Sequence, residues 1–200
     1  HIPEILSENP RRALGIDEKE KILLYLGRIG EEKNIEELVD FYQKIEDSDV
    51  KLYIVGGGPH LDDLKEFSSK FPKKVNFLGM VRPEDVNKYY QMADIFVSGS
   101  TSETQGLTYY EALSNGTVAV CRKDEALCGV IVNGYNGYVY ESFEDFEKII
   151  NKFFNEKFKT YLKRNARAYA IEKFSIEAFG EKCERLYIKA IEEYEYESFN

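Results

Sequence analysis

Two hundred residues carry 36 Asp and Glu against 27 Lys and Arg, a formal net charge of −9. That balance excludes a broad nucleic-acid-binding surface, which needs net positive charge to neutralise phosphates. Apolar residues make up 43%, enough to bury one sizeable core and too many for a disordered chain, and no apolar run is long enough to cross a membrane.

The first residues, HIPEILSENPRRALGI, show no signal-peptide pattern and read as the end of a linker entering a domain, as expected of a piece of a longer protein. Lys21 to Leu26 (KILLYL) is an apolar run closed by Gly27 and predicts a buried strand. Ile35, Leu38, Val39, Tyr42 and Ile45 follow at helical spacing. Lys51 to Val55 predicts a second strand, closed by GGGP, and Leu61, Leu64 and Phe67 mark the next helix. VNFLG predicts a third strand. Pro83 then suits the first position of a helix with acids in its first turn. Asp94 to Ser98 predicts a fourth strand, TVAVC a fifth and Gly137 to Tyr140 a sixth; from about Ser142 onward the pattern is helical only.

Strands alternating with helices predict an α/β fold, a Rossmann-like doubly wound parallel sheet with a helical C-terminal tail. The expected core spans about residues 20–155 and the tail about 156–200. Cys121, Cys128 and Cys183 are odd in number and fit no zinc spacing, so they read as reduced thiols of a cytoplasmic protein. His1 and His60 stand alone and read as neither metal ligand.

Ligands of such sheets bind outside the carboxyl ends of the strands, so the loops there are the places to search. In GRIGEEKN (Gly27 to Asn34), Arg28 and Lys33 lie five apart and can reach one anion; taken without the other motifs, they read better as solvated surface cations beside Glu31 and Glu32. Gly56 and Gly57 allow a tight turn and close approach to a ligand, but neither a GxGxxG nor a P-loop pattern is present. In SETQGLTYYEALSNG a helix begins near Gly106, and the N–H groups of Gly106, Leu107 and Thr108 would offer an anion site. Glu103 precedes that turn and can accept hydroxyl hydrogen bonds. Glu111, inside the helix, can lean back toward its start and accept the two donors of a vicinal diol. Each acid taken alone reads better as a surface carboxylate. Tyr109 and Tyr110 read as packing residues.

GRIGEEKN, IVGGGP, VNFLGMVRPEDVNKYYQMADIFVSGS and ETQGLTYYE followed by ALSNGTVAV occur in the order that group 1 (family 4) glycosyltransferases show. From about Ile22 to Tyr187 the chain resembles the donor-binding half of these two-domain GT-B enzymes. Its wording is most similar to the bacterial diacylglycerol glucosyltransferases.

The resemblance implies that Arg28 and Lys33 hold the donor diphosphate and that Glu103 contacts the transferred sugar, these three being the catalytic candidates. It implies further that Gly27, Gly56 and Gly57 border the donor, and that Met80, Val81 and Arg82 line the nucleobase. Gly106, Leu107 and Thr108 would meet sugar and phosphate, and Glu111 the ribose. The family's Gly after the Lys is Asn34 here, a residue that can serve the same helix start.

The resemblance implies a retaining transfer of glucose from UDP-glucose, with no metal or other cofactor and no nucleic-acid partner. The acceptor would be a membrane lipid, with a capsule or cell-surface polysaccharide as the alternative and a non-catalytic nucleotide-sugar-binding module as the alternative of another class. The acceptor site and base would lie on an N-terminal domain absent from this chain, so the isolated domain would be nearly inactive. The full-length protein would be cytoplasmic, at the inner face of the membrane, and the C-terminal helix would present an apolar face open to homodimerisation.

Overall fold

A computed structural model describes residues 2–101, 106–154 and 156–198. In chain order these form α1 (Pro10–Ala13), β1 (Lys21–Leu26), α2 (Ile35–Lys44), β2 (Val50–Val55), α3 (Leu61–Ser69), β3 (Asn76–Gly79), α4 (Val86–Met92) and β4 (Ile95–Ser98). Then come α5 (Leu107–Ser114), β5 (Val118–Arg122), β6 (Gly137–Tyr140), α6 (Phe143–Phe153), α7 (Glu156–Phe174) and α8 (Ile176–Ser198). Single 3-10 turns cover Glu31–Lys33, Pro83–Asp85 and Glu125–Leu127. Pro83 therefore opens a 3-10 turn, and the α-helix proper starts at Val86.

Among the described residues all six strands form one sheet of order β3-β2-β1-β4-β5-β6, and every pairing is parallel. The central strands are buried on both faces, which is why they read as continuous apolar runs rather than alternating ones. Leu23 and Tyr25 of β1 face a core with Ile35, Leu38 and Val39 of α2 and Phe146 and Ile150 of α6. Ile22 and Leu24 face a second core with Tyr90 of α4, Tyr109, Ala112 and Leu113 of α5, and Ala166 and Ala170 of α7. The predicted doubly wound sheet is thus present, with helices on both faces.

The opening segment is docked on the domain. Asn9 caps α1, its side chain accepting from the Arg11 N–H at 3.0 Å. The Arg11 guanidinium donates to the carbonyls of Met92, Glu18 and Glu20 and to Asp94 Oδ2, the last at 2.8 Å. Asp94 is buried at the entry to β4. It also accepts from the Ile22 N–H at 2.8 Å and pairs with Lys159 of α7 at 2.7 Å. Burial pushes its carboxyl up, but the charges of Lys163, Lys159 and Arg11 outweigh that and hold it below the usual range. Lys163, 4.0 Å from the same carboxylate, is lowered by burial to about 8. Asp94 therefore ties the N-terminal segment, β1 and α7 together.

α7 is seated on the core through Leu162, Ala166 and Ala170, all fully buried. α8 instead exposes Ile176, Phe179, Leu186, Tyr187, Ile188 and Ile191. Among the described residues no helix is long and apolar enough to cross a membrane.

Candidate functional site

The strand order reverses between β1 and β4. The chain leaves β1 toward β2 on one side and β4 toward β5 on the other, so the loops leaving their carboxyl ends diverge and open a crevice. A cleft of about 290 Å³ lies there, bounded by Tyr25, Leu26, Gly27, Arg28 and Lys33 after β1, Phe96 and Ser98 of β4, and Gly106, Leu107 and Thr108 at the start of α5. Residues from three separated stretches of sequence meet in this place. Glu103 lies outside the described residues.

Gly106 adopts the left-handed conformation (φ 58°, ψ 32°) at the N-cap of α5. The first backbone bond of the helix runs from the Tyr109 N–H to the Gly106 carbonyl, 2.9 Å. The N–H groups of Leu107 and Thr108 precede it and point out of the helix start, where the dipole favours an anion. Tyr109 is buried, its hydroxyl 3.1 Å from Ser98 Oγ, and Tyr110 packs edge-on against Phe174 at 4.4 Å between ring centroids. Both are packing residues, as the sequence suggests.

Across the cleft, Arg28 is exposed and paired with Glu32. Its backbone carbonyl accepts a hydrogen bond from the Tyr25 hydroxyl at 2.8 Å, which fixes where the side chain departs. Asn34 has φ 48°, the one non-glycine residue with positive φ among the described residues. Asparagine tolerates that region better than most, which accounts for its standing where the family pattern has glycine. The Gly27 and Gly56 loops touch directly, and a methyl on Gly56 (φ 137°) would overlap the Gly27 carbonyl oxygen.

Further bonds lock these two loops: Ile29 N–H to Gly57 carbonyl, 2.9 Å, and His60 N–H to Ile29 carbonyl, 3.2 Å. The His60 ring bonds to Glu36 through Nε2 and lies 3.4 Å from Asp63 through Nδ1. The Glu36 bond and the charges of both carboxylates raise its pKa above the ordinary value, against partial desolvation.

The remaining candidates stand apart from the cleft. Gly57 abuts Met80, which is 84% exposed and so open to a ligand. Val81 is half-buried against the core, and the Arg82 guanidinium is engaged by Asp85 at 2.9 Å and Glu84 at 3.4 Å. Glu111 borders a neighbouring hollow of about 200 Å³ with Asn87, Tyr110 and Ser114. Leu107, 61% exposed, borders both hollows, so a ligand reaching from Arg28 to Glu111 would lie across it. Glu111 also has a partner that sequence reasoning missed, the Tyr90 hydroxyl at 2.9 Å from its Oε2. Tyr25, Phe96 and Ser98 are also absent from the sequence reading of the site; Tyr25 and Ser98 carry a signal in their position, at the carboxyl ends of β1 and β4, while Phe96 sits near the start of β4 and carries none.

Among the described residues no cluster of His, Cys, Asp and Glu is arranged to hold a metal ion. A larger hollow of about 690 Å³ lies at the amino end of the sheet, between residues 5–10 and α7. Two of its cations are spent on the fold: Lys163 donates to the Ala93 carbonyl, and Arg167 to the Ser114 and Pro3 carbonyls.

A model of the family described as glycosyl transferases group 1 matches residues 7–185. An alpha-monoglucosyldiacylglycerol synthase of Streptococcus pneumoniae is 37% identical over 196 residues, covering 94% of this chain and 44% of the relative. The synthase of the same description from Acholeplasma laidlawii is 35% identical over 187 residues, covering 90% of this chain and 46% of the relative. The chain thus spans slightly under half the length of these relatives. Among solved structures, Anabaena HepE in complex with UDP-glucose superposes with a TM-score of 0.77 at 20% identity, over 90% of this chain and 51% of that one. The C-terminal domain of a group 1 family glycosyl transferase from Francisella tularensis matches with a TM-score of 0.77 at 21% identity, over 88% of this chain and 97% of that one.

Proposed function

This chain belongs to the group 1 glycosyl transferases and has the fold of their C-terminal domain, and from that premise we propose that its switch-point cleft holds a nucleotide-sugar donor, UDP-glucose, for transfer to a membrane lipid such as diacylglycerol. The observation that carries the reading is the convergence of Arg28, Lys33 and the start of α5 on one cleft. Two cationic side chains and a helix N-terminus suit a diphosphate. The lipid acceptor is supported by the names of the two relatives, both alpha-monoglucosyldiacylglycerol synthases.

In this reading the bond between the sugar's anomeric carbon and the diphosphate oxygen breaks, and the oxygen leaves with negative charge. Arg28, Lys33 and the backbone N–H groups of Leu107 and Thr108 stabilise that charge where it develops. Arg28 gives up Glu32 to do so. Glu103 takes the sugar hydroxyls and Glu111 the ribose diol, with Leu107 beneath the nucleotide. Gly27, Gly56 and Gly57 let the backbone approach, and Met80, Val81 and Arg82 meet the base. The acceptor and the groups that position it belong to a second, N-terminal domain, and the 200 residues alone bind donor but transfer sugar poorly.

Calorimetric titration of the chain with UDP, uridine, UDP-glucose, UDP-galactose and GDP tests this. UDP binding tighter than uridine and GDP is expected, with Glu111→Ala weakening UDP by about 1–3 kcal/mol through unpaired ribose hydroxyls. Equal affinity for UDP and uridine would overturn the diphosphate site.

A further inference from the structure

Tyr90 of α4 has no solvent exposure, and its ring packs against Phe96 with centroids 5.8 Å apart. Its backbone is equally fixed, the carbonyl accepting from Thr117 Oγ1 at 2.6 Å and from the Ala93 N–H at 3.1 Å. A phenylalanine would fill the same space. The hydroxyl is spent on Glu111 Oε2 at 2.9 Å, a bond that crosses from one helix to the next. Glu111 itself is an exposed residue on a surface helix, and a free glutamate there would sample many rotamers.

We propose that Tyr90 is a positioning residue for Glu111, a rigid buried donor that holds the carboxylate pre-oriented for the ribose diol of the nucleotide. The proposal rests on the donor-site reading of Glu111. A carboxylate offers four lone-pair sites. One bond from Tyr90 leaves both Glu111 oxygens able to accept, one hydroxyl each, so tether and diol coexist. Burial, with the Glu111 charge added, raises the Tyr90 pKa well above its ordinary value, so the hydroxyl remains a donor through the neutral range. The arrangement lowers the ordering cost that ligand binding would otherwise meet.

The test is titration of the 200-residue chain and three variants, Tyr90→Phe, Glu111→Ala and the double variant, with UDP and with inorganic pyrophosphate, which has no ribose. Thermal melting of each variant sets a temperature at which all are folded. Tyr90→Phe is expected to weaken UDP roughly three- to tenfold and to leave pyrophosphate unchanged. In the Glu111→Ala background the same substitution should have no further effect on UDP. Equal loss for UDP and pyrophosphate would make the pair a structural tie between α4 and α5 and overturn the proposal. Full UDP affinity in Tyr90→Phe, with Glu111→Ala weakened, would overturn this proposal alone. Full affinity in Glu111→Ala would overturn the ribose reading, and this one with it.

Discussion

Gly56→Ala probes the contact on which the cleft is built. The new methyl would overlap the Gly27 carbonyl oxygen and lie 3.0 Å from its carbon. The two loops must then part by roughly an ångström, since the interior leaves no slack for the atom. Parting them breaks the bonds Ile29 N–H to Gly57 carbonyl and His60 N–H to Ile29 carbonyl, at about 0.5–1.5 kcal/mol each. Holding an alanine near φ 137° adds about 1–3 kcal/mol. The expected loss is therefore about 2–6 kcal/mol, which for a domain of this size lowers Tm by roughly 5–20 °C. Gly27 also borders the cleft, so UDP affinity should fall even where the variant is fully folded. Calorimetric melting and UDP titration read the two effects. A Tm within about 2 °C of the parent would mean that the loops are not pinned at this contact, and the account of the cleft would fail.

Arg28→Ala should weaken UDP by about 1–2 kcal/mol and uridine less, a modest effect because the side chain is mostly exposed; Glu32→Gln, which frees the guanidinium, should tighten UDP, and weaker binding there would refute the exchange. Asp94→Ala should cost about 3–5 kcal/mol in urea unfolding, because Arg11 and Lys159 lose a buried anion; a loss under about 1 kcal/mol would remove Asp94 as the tie. His60 has a raised folded pKa, so its contribution is complete below the unfolded value of about 6.5 and is lost as pH rises through the folded one. The urea midpoint should therefore fall as pH rises above about 6.5, and His60→Gln should flatten that slope; an unchanged slope would assign it to another group.

Much of the sheet was legible because its strands are buried on both faces: KILLYL, KLYIV and DIFVS are apolar runs with glycine at or near their ends, and that pattern needs no tertiary knowledge. Helix faces were legible for the same reason, from Leu38 and Val39 to Phe146 and Ile150. Strand order was not. Nothing local in Leu23 states that its neighbour is Ile95. The opening segment read as a linker because the bond that docks it, Arg11 to Asp94, joins residues that carry no shared period. At the site, loop positions announced Arg28, Lys33 and Gly106, since strand ends and a glycine before a helix are local signals. Tyr90 escaped because a buried tyrosine and a packing tyrosine look alike until the acceptor of the hydroxyl is known.

The pairing of β1 with β4 has a consequence for how the chain folds. On the other neighbouring strands, paired residues such as Lys21 and Val50, or Ala119 and Gly137, lie about 18–29 positions apart, whereas Leu23 and Ile95 lie about 72 apart. Closing that longer loop costs roughly 1 kcal/mol more in chain entropy. The shorter-range pairings thus fall into two groups, β1 to β3 and β4 to β6. The crevice is the seam between them. A ligand that spans that seam would be expected to slow unfolding more than it speeds folding.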